Sequence, residues 1–285
     1  MTQYGKRQLL PSHYRILDQI QNGRDEPLRA GELKALERDY RWGAPGVSDD
    51  PSMIDFFDTP RSTLFEGVIR LWNCGWLALK YTNLLEQENK QVKIVDIGAG
   101  RGEIFRVLGS IRIGKDSRFE YIALDIDLRK REVFQKLYSR FKHNYIIHDF
   151  REGLPFPTDT IDAVICTETI EHVTKEEGEA LLKEILRALK PDGVFIFTTP
   201  NLSMRPNGSV YHAYEWKDNE LKETITTTGF TIVQWFYLGV PAKHLAEFLP
   251  PDCDERINRD LLRAVLGPAV GRPGNVIFGV VKKSS

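Results

Sequence analysis

The stretch Val92-Lys-Ile-Val-Asp-Ile-Gly-Ala-Gly-Arg-Gly-Glu-Ile104 decides the fold. It starts with a short β-branched run, which is typical of a buried strand. Gly98, Gly100 and Gly102 follow, and an amphipathic segment begins at Glu103. A strand that turns tightly into a helix brings free backbone N–H groups to one point, and glycine there lets a ligand approach the backbone. The stretch therefore predicts a strand, a ligand-binding turn and a helix.

The spacing of these glycines separates two classes of ligand-binding turn. The dinucleotide fingerprint Gly-x-Gly-x-x-Gly needs its third glycine at position 103, where this chain has Glu103. An ordinary βα turn stays open as the alternative for this stretch taken alone. The pattern Asp-x-Gly-x-Gly-x-Gly, which begins at Asp96, resembles motif I of the class I S-adenosylmethionine-dependent methyltransferases.

This resemblance implies both a fold and a cofactor. The fold is α/β, a Rossmann-like doubly wound, mostly parallel seven-stranded sheet with an antiparallel edge strand, to which we add an N-terminal helical arm. The cofactor is S-adenosyl-L-methionine, whose methionine tail lies over the turn and is ordered by an acidic residue in the place of Asp96. The positions expected to bind it are Asp96, Gly98, Ala99, Gly100, Gly102, Asp125, Ile126, Asp149, Phe150 and Thr167.

Acidic residues at strand ends are the expected contacts for the rest of the cofactor. Asp125 closes a predicted strand beside the glycine turn, where a carboxylate can accept hydrogen bonds from both ribose hydroxyls. Asp127 is a rival, although two residues further on it would fall in the following turn. The resemblance assigns Asp149 to the adenine amino group and Phe150 to an apolar wall beside the ring. Core packing is the alternative role for Phe150.

The composition is that of a globular protein. The chain has 285 residues, a formal net charge of −1 and three cysteines that are widely spaced. The odd cysteine count suggests neither a disulfide framework nor a zinc site. We find no apolar run long enough to cross a bilayer and no signal-peptide core, so we expect a cytoplasmic protein without a membrane partner. The balanced charge makes a nucleic-acid partner unlikely without excluding one, and the oligomeric state stays open.

We predict two regions along the chain. Residues 1–58 form an N-terminal arm, in which Arg41 and Trp42 are candidates for a lid over a ligand; an arm pinned to the core by Trp42 is the alternative. Residues 59–285 form the methyltransferase domain, with an insertion at 240–274. In this domain predicted helices alternate with strands at 119–125, 144–148, 161–167 and 194–198, and two further strands follow at 230–238 and 275–281.

A polar cluster follows the fourth strand of the predicted sheet. Glu168, Glu171 and His172 have i, i+3, i+4 spacing, which predicts that they share one side of a helix at the carboxyl ends of the strands. Three roles compete for this cluster. It shapes the cofactor pocket, or His172 acts as a general base toward a hydroxyl or amine, or the carboxylates and imidazoles bind a divalent cation.

The metal role has a specific parallel. Glu-x-x-Glu-His, followed by Thr199-Pro-Asn201 and His212-Ala-Tyr-Glu-Trp216, resembles the small-RNA 3′-end 2′-O-methyltransferases. In that family two Glu and two His hold the metal, which here implies Glu168, Glu171, His172 and His212. The first two of these motifs also resemble small-molecule methyltransferases, including the quinone-biosynthesis group.

These observations predict a methyltransferase that acts on oxygen or nitrogen of a small-molecule acceptor without a metal. Its candidate catalytic residues are His172, Glu171 and His212. The alternatives are a metal-dependent RNA 2′-O-methyltransferase and, in another class, an inactive cofactor-binding regulatory module. A nucleotide-dependent oxidoreductase is disfavoured by Glu103.

Overall fold

A computed structural model describes residues 61–84, 90–110, 118–139, 143–205, 207–239 and 273–284. The predicted arm at 1–58 and nearly all of the insertion at 240–274 lie outside these residues, so both stay predictions. By internal contacts the chain divides into two compact units. One comprises Met1–Arg70 with Phe236–Asn275, and the other comprises Leu71–Trp235 with Val276–Ser285. The candidate site lies entirely within the second unit.

Helices and strands alternate through the described residues, as the sequence predicts. The helices are α1 (Arg61–Thr82), α2 (Glu103–Ser110), α3 (Leu128–Tyr138), α4 (Lys175–Ala188) and α5 (Asp218–Thr228). The strands are β1 (Val92–Ile97), β2 (Phe119–Asp125), β3 (Asn144–Ile147), β4 (Ile161–Thr167), β5 (Leu189–Pro200), β6 (Phe230–Leu238) and β7 (Val276–Lys283). Within the described residues, no helix is both long and apolar enough for a membrane span.

The described strands form a seven-stranded sheet in the order β3-β2-β1-β4-β5-β7-β6. The first five run parallel, and β7 pairs antiparallel with β5. The decisive stretch lies at the centre, since Asp96 of β1 is in register with Ala123 of β2 and with Ile165 of β4. Because the strand order reverses beside β1, the loops after β1 and β4 diverge there and leave a crevice at their carboxyl ends.

Burial explains why the central strands read as continuous apolar runs. Ile94, Val95 and Ile97 of β1 are fully buried, as are Ala163 and Val164 of β4. A parallel sheet covered by helices on both faces requires such strands. The rigid centre of the molecule therefore carries the loops that form the site.

Three local predictions can be compared directly with the structure. The sequence Thr174-x-x-Glu177 predicts a capping box at the start of a helix, and the structure confirms it at the start of α4. The apolar spacing from Leu128 predicts a helix to about His143, but α3 ends at Tyr138, and β5 begins at Leu189 instead of Val194. The longer β5 forms because Leu189 already pairs with Ile161.

Candidate cofactor and acceptor site

The glycine turn connects β1 to α2 through left-handed backbone. Gly98, Gly100 and Gly102 have φ of +71°, +58° and +88°, which side chains rarely adopt. A Cβ on Gly98 would lie 2.2 Å from Thr169 Oγ1, and one on Gly102 would lie 2.3 Å from the Phe134 ring. Our sequence-based reason for these glycines was therefore incomplete. At these two positions the protein's own packing, and not only the approach of a ligand, excludes a side chain.

Asp125 lies at the carboxyl end of β2 and is tied to the glycine turn. Its Oδ2 accepts a hydrogen bond from Gly100 N at 2.9 Å, and its Oδ1 accepts one from Asp127 N at 2.9 Å. Lys130 Nζ lies 3.3 Å from Oδ2. The rival Asp127 has a different role, because its carboxylate caps α3 through Arg129 N at 2.9 Å and pairs with the Arg129 guanidinium.

Asp96 is buried beneath the turn with only 1% of its surface exposed. Its Oδ2 accepts a hydrogen bond from the Tyr121 hydroxyl at 2.5 Å, whereas its Oδ1 has no hydrogen-bond partner among the described residues. Burial raises the pKa of Asp96 to about 8, although the Tyr121 hydrogen bond opposes this rise. Asp96 thus offers a buried oxygen that can accept one more hydrogen bond.

A cavity of about 430 Å³ opens beside these residues at the carboxyl ends of the strands. Of the predicted site residues, its wall contains Gly98, Asp125, Ile126, Asp149, Phe150, Glu168 and His172. The other predicted site residues are not on this wall: Asp96, Ala99, Gly100, Gly102, Thr167, Glu171 and His212. The sequence analysis did not predict Lys130, His148, Arg151, Thr169 or Val173, which are also part of the wall.

One end of the cavity combines apolar surface with a paired acid. Ile126 is 61% exposed although it is aliphatic, and Phe150 lies on the same wall. Asp149 accepts hydrogen bonds from Arg151 N at 3.0 Å and from the Arg151 guanidinium. This pairing holds the pKa of Asp149 below its usual value. Asp149 therefore stays ionised, but Arg151 competes for its oxygens.

The polar cluster after β4 does not have the predicted helical arrangement. A short 3₁₀ turn spans Ile170–His172, and Glu168 precedes it with a left-handed φ of +47°. Glu171 points inward, is 1% exposed, and accepts a hydrogen bond from Thr199 Oγ1 at 3.1 Å. The predicted common side of a helix is wrong, because the left-handed residue ends the helical periodicity before it starts.

The turn nevertheless brings three predicted residues together. Ligand-capable atoms of Glu171, His172 and His212 lie within 4.8 Å of one another. The backbone holds them there, since Ala213 N donates to Glu171 O at 2.9 Å. His212 Nδ1 lies 2.6 Å from Glu215 Oε1, which fixes the orientation of the ring. Glu168, the fourth expected metal ligand, is not part of this group.

Comparison with known proteins supports a methyl-transfer domain. A family model described as "Methyltransferase domain" matches residues 95–197. A Mycolicibacterium smegmatis protein named "Probable S-adenosylmethionine-dependent methyltransferase" is 28% identical over 144 residues, which are 49% of this chain and 52% of the relative. A ubiquinone/menaquinone biosynthesis C-methyltransferase of Pasteurella multocida is 29% identical over 172 residues, or 58% of this chain and 59% of the relative. The chain spans about half the length of the curated relatives it matches.

A solved structure has a similar fold. It is described as a "putative sarcosine dimethylglycine methyltransferase" from Galdieria sulphuraria. The TM-score is 0.52 at 17% identity, and the match covers 96% of this chain and 98% of that one. This likeness identifies the fold, and the site residues must be judged on their own geometry.

Proposed function

We propose that this chain, whose residues 95–197 match the methyltransferase domain and which is similar to a probable S-adenosylmethionine-dependent methyltransferase, is a class I enzyme that transfers a methyl group to oxygen or nitrogen of a small-molecule acceptor. The observation that carries this proposal is Asp125, whose carboxylate lies on the cavity wall and is bonded to Gly100 of the glycine turn. One residue thereby joins the two parts of the site that the cofactor must span.

The residues of the cavity fit S-adenosylmethionine. Asp96 does not line the cavity, but its buried Oδ1, which has no partner among the described residues, leaves one hydrogen bond for a group that approaches the turn, such as the ammonium of the methionine tail. While Asp125 stays bonded to Gly100 N and Asp127 N, the remaining lone pairs of its oxygens can accept hydrogen bonds from the ribose hydroxyls once Lys130 moves aside. The exposed Ile126 and the Phe150 ring offer apolar surface for adenine, with Asp149 beside them for its amino group.

The protein's part in the reaction is to align the acceptor and to remove its proton. The bound cofactor supplies an activated methyl group on a sulfonium leaving group, so strong acid–base assistance is not required. His172 lies on the cavity wall and is exposed, and it is our candidate to take the proton from a hydroxyl or amine. His212 packs edge-on against it, with ring centroids 5.1 Å apart. Glu171, in the same 3₁₀ turn as His172, is buried and bonded to Thr199 Oγ1.

The nature of the acceptor atom follows from this arrangement. A hydroxyl or amine gains from a nearby imidazole because it loses a proton when it is methylated. The Pasteurella relative is named as a C-methyltransferase. We favour oxygen or nitrogen for this chain because two imidazoles meet beside the cavity, and a carbon-methylated product would overturn that choice.

Calorimetry with S-adenosylhomocysteine tests the cofactor assignment. We expect Asp125→Ala to bind about 1–3 kcal/mol more weakly than wild type, because a charged hydrogen-bond acceptor is lost. Asp127→Ala is the matched control and should keep wild-type affinity, since that carboxylate caps α3 instead. Equal affinity in all three proteins would remove Asp125 from the site. Tighter binding of NAD than of S-adenosylhomocysteine would refute the assignment, and binding without turnover on any acceptor would favour the regulatory module.

A second candidate function rests on the group of Glu171, His172 and His212. A carboxylate and two imidazoles suit manganese, magnesium or iron. Glu215 holds His212 through its other ring nitrogen, an arrangement typical of metal-bound histidine. A cation there would act on the ribose hydroxyls of an RNA 3′ end, as in the family that these motifs resemble.

Manganese binding after chelation distinguishes the two functions. Under our main proposal the chelated protein keeps its turnover and binds manganese no better than His212→Gln does. Under the second candidate, paramagnetic resonance would detect a bound ion that His212→Gln loses. His148→Gln is the control for that loss, because His148 is on the same cavity wall but outside the group.

A further inference from the structure

Three tyrosine hydroxyls bond to the glycine turn or to Asp96 just before it, and none of these tyrosines is on the cavity wall. Tyr145 of β3 donates to Gly100 O at 2.7 Å, and Tyr138 of α3 donates to Gly102 O at 3.3 Å. Tyr121 of β2 donates to Asp96 Oδ2 at 2.5 Å. Hydroxyls from β3 and α3 thus bond to carbonyls of the glycine turn, and the hydroxyl from β2 bonds to Asp96 of β1 just before it.

The rings that carry these hydroxyls are held in one aromatic cluster. Phe134 lies at its centre, with ring centroids 4.9 Å from Tyr138, 5.0 Å from Tyr145 and 6.3 Å from Tyr121. Phe105 of α2 packs against Tyr121 at 4.9 Å. Close-packed aromatic rings have few alternative rotamers, so the hydroxyls are presented in fixed positions.

Both peptide groups of Gly100 are hydrogen-bonded to side chains. Its N–H donates a hydrogen bond to Asp125 Oδ2 at 2.9 Å, and its carbonyl oxygen accepts one from the Tyr145 hydroxyl at 2.7 Å. The residue is therefore held from both ends by side chains that do not belong to the turn. Since Asp125 is also the proposed ribose ligand, any movement of Gly100 is transmitted to that carboxylate.

We propose that Tyr145, assisted by Tyr138, is a positioning residue for the cofactor. Each hydroxyl holds a backbone carbonyl of the turn inward, which keeps the turn and Asp125 in the arrangement that binds the ligand. This inference rests on the proposed function, because it assumes that the turn and Asp125 bind the same cofactor. Tyr145 is not on the cavity wall, so its effect passes through Gly100.

Phenylalanine variants test this role because they remove a hydroxyl and keep the ring. Tyr145→Phe should bind S-adenosylhomocysteine about five-fold more weakly in calorimetry, the effect of one lost hydrogen bond. Tyr138→Phe should show a smaller loss, because its bond is longer. Tyr214→Phe is the matched control: it also loses one hydroxyl bond, to Glu220 Oε1 at 2.5 Å, but away from the turn. Its affinity should equal that of wild type.

Two further readouts separate positioning from ordinary stabilisation. The Gly100 amide resonance should shift in unliganded Tyr145→Phe and stay in place in Tyr214→Phe. In a double-mutant cycle, Tyr145→Phe with Asp125→Ala should lose less affinity than the sum of the single losses, because both act through Gly100. If the two losses of binding free energy were strictly additive, the proposal that Tyr145 acts on Asp125 through Gly100 would be overturned.

The failure of the inference differs from the failure of the proposed function. Wild-type protein that binds no S-adenosylhomocysteine would refute both. Wild-type binding together with unchanged affinity in Tyr145→Phe would overturn the positioning role and leave the proposed function intact. If Tyr145→Phe failed to fold, the same comparison on Tyr138→Phe would decide, because that side chain is only half-buried.

Discussion

Glu168 lies on the cavity wall and has a strained backbone conformation. Its φ of +47° is a left-handed conformation that costs a non-glycine residue roughly 1–2 kcal/mol. The backbone holds it there through the hydrogen bond from Glu168 N to Thr198 O at 2.9 Å. Strain of this kind persists at functional sites because the surrounding structure enforces it.

Replacing Glu168 with glycine should separate stability from function. We expect Glu168→Gly to gain about 1 kcal/mol in free energy of unfolding in urea, because the strain is relieved. The same variant should bind S-adenosylhomocysteine more weakly, since a carboxylate leaves the cavity wall. Asn83→Gly is the control, because Asn83 is also left-handed, with φ of +54°, but lies at the end of α1. Lower stability with unchanged affinity would show that Glu168 has only a structural role.

Single residues differ in how far the sequence predicts them. Asp125 was predicted because it closes a strand, where open α/β sheets bind ligands, and Asp149 was assigned from the family resemblance. Lys130 and Arg151 were missed because isolated long cations are typical of a solvated face. Their places on the cavity wall depend on pairing with Asp125 and Asp149, and that pairing is visible only in three dimensions.

At the scale of elements, helix α4 is specified by its capping box. Thr174 Oγ1 accepts from Glu177 N at 3.3 Å, and Glu177 Oε2 accepts from Thr174 N at 2.9 Å. Thr174→Ala should lower the free energy of unfolding by about 1 kcal/mol, measured by urea denaturation. Lys217→Ala is the matched control at the start of α5, where the side chain makes no capping bond. An equal loss in both variants would contradict the capping explanation.

Sequence patterns predicted helices and strands well where the hydrogen bonds or side chains involved lie close together in the chain. The capping box and the β-branched runs are readable because their partners lie within a few residues or share one strand. The turn after β4 was not readable, because Glu168 N bonds to Thr198, thirty residues later. The hydroxyl of Thr169 also bonds to Thr167 O at 2.9 Å and competes with helix formation. The helical spacing of these polar residues therefore predicted the wrong local structure. It nevertheless identified Glu171 and His172 as members of the polar group.

At the scale of the whole molecule, the buried Asp96 makes stability depend on pH. Its pKa rises from an ordinary value of 3.8 to about 8 on folding, mainly because burial disfavours the charged form. The folded state therefore binds more protons than the unfolded state between these values. The free energy of unfolding contributed by this group is highest below about pH 4, falls as the pH rises, and levels off above about pH 8.

Asp96→Asn removes this titration and keeps the shape of the side chain. The difference in free energy of unfolding, variant minus wild type, should rise between pH 5 and 8 by up to about 1.4 kcal/mol per unit, the value for one proton. Urea denaturation of both proteins without cofactor measures it, and other titrating groups cancel in the difference. Asp162→Asn is the control for replacing a buried carboxylate on the same sheet. The Asp162 carboxylate differs from that of Asp96 because it accepts hydrogen bonds from Lys93 N and Lys190 Nζ. A difference that stays flat across this range would mean that Asp96 is already ionised in the folded protein. A charged Asp96 carboxylate would then lie beside the glycine turn, and the hydrogen bond from the Tyr121 hydroxyl would stabilise that charge.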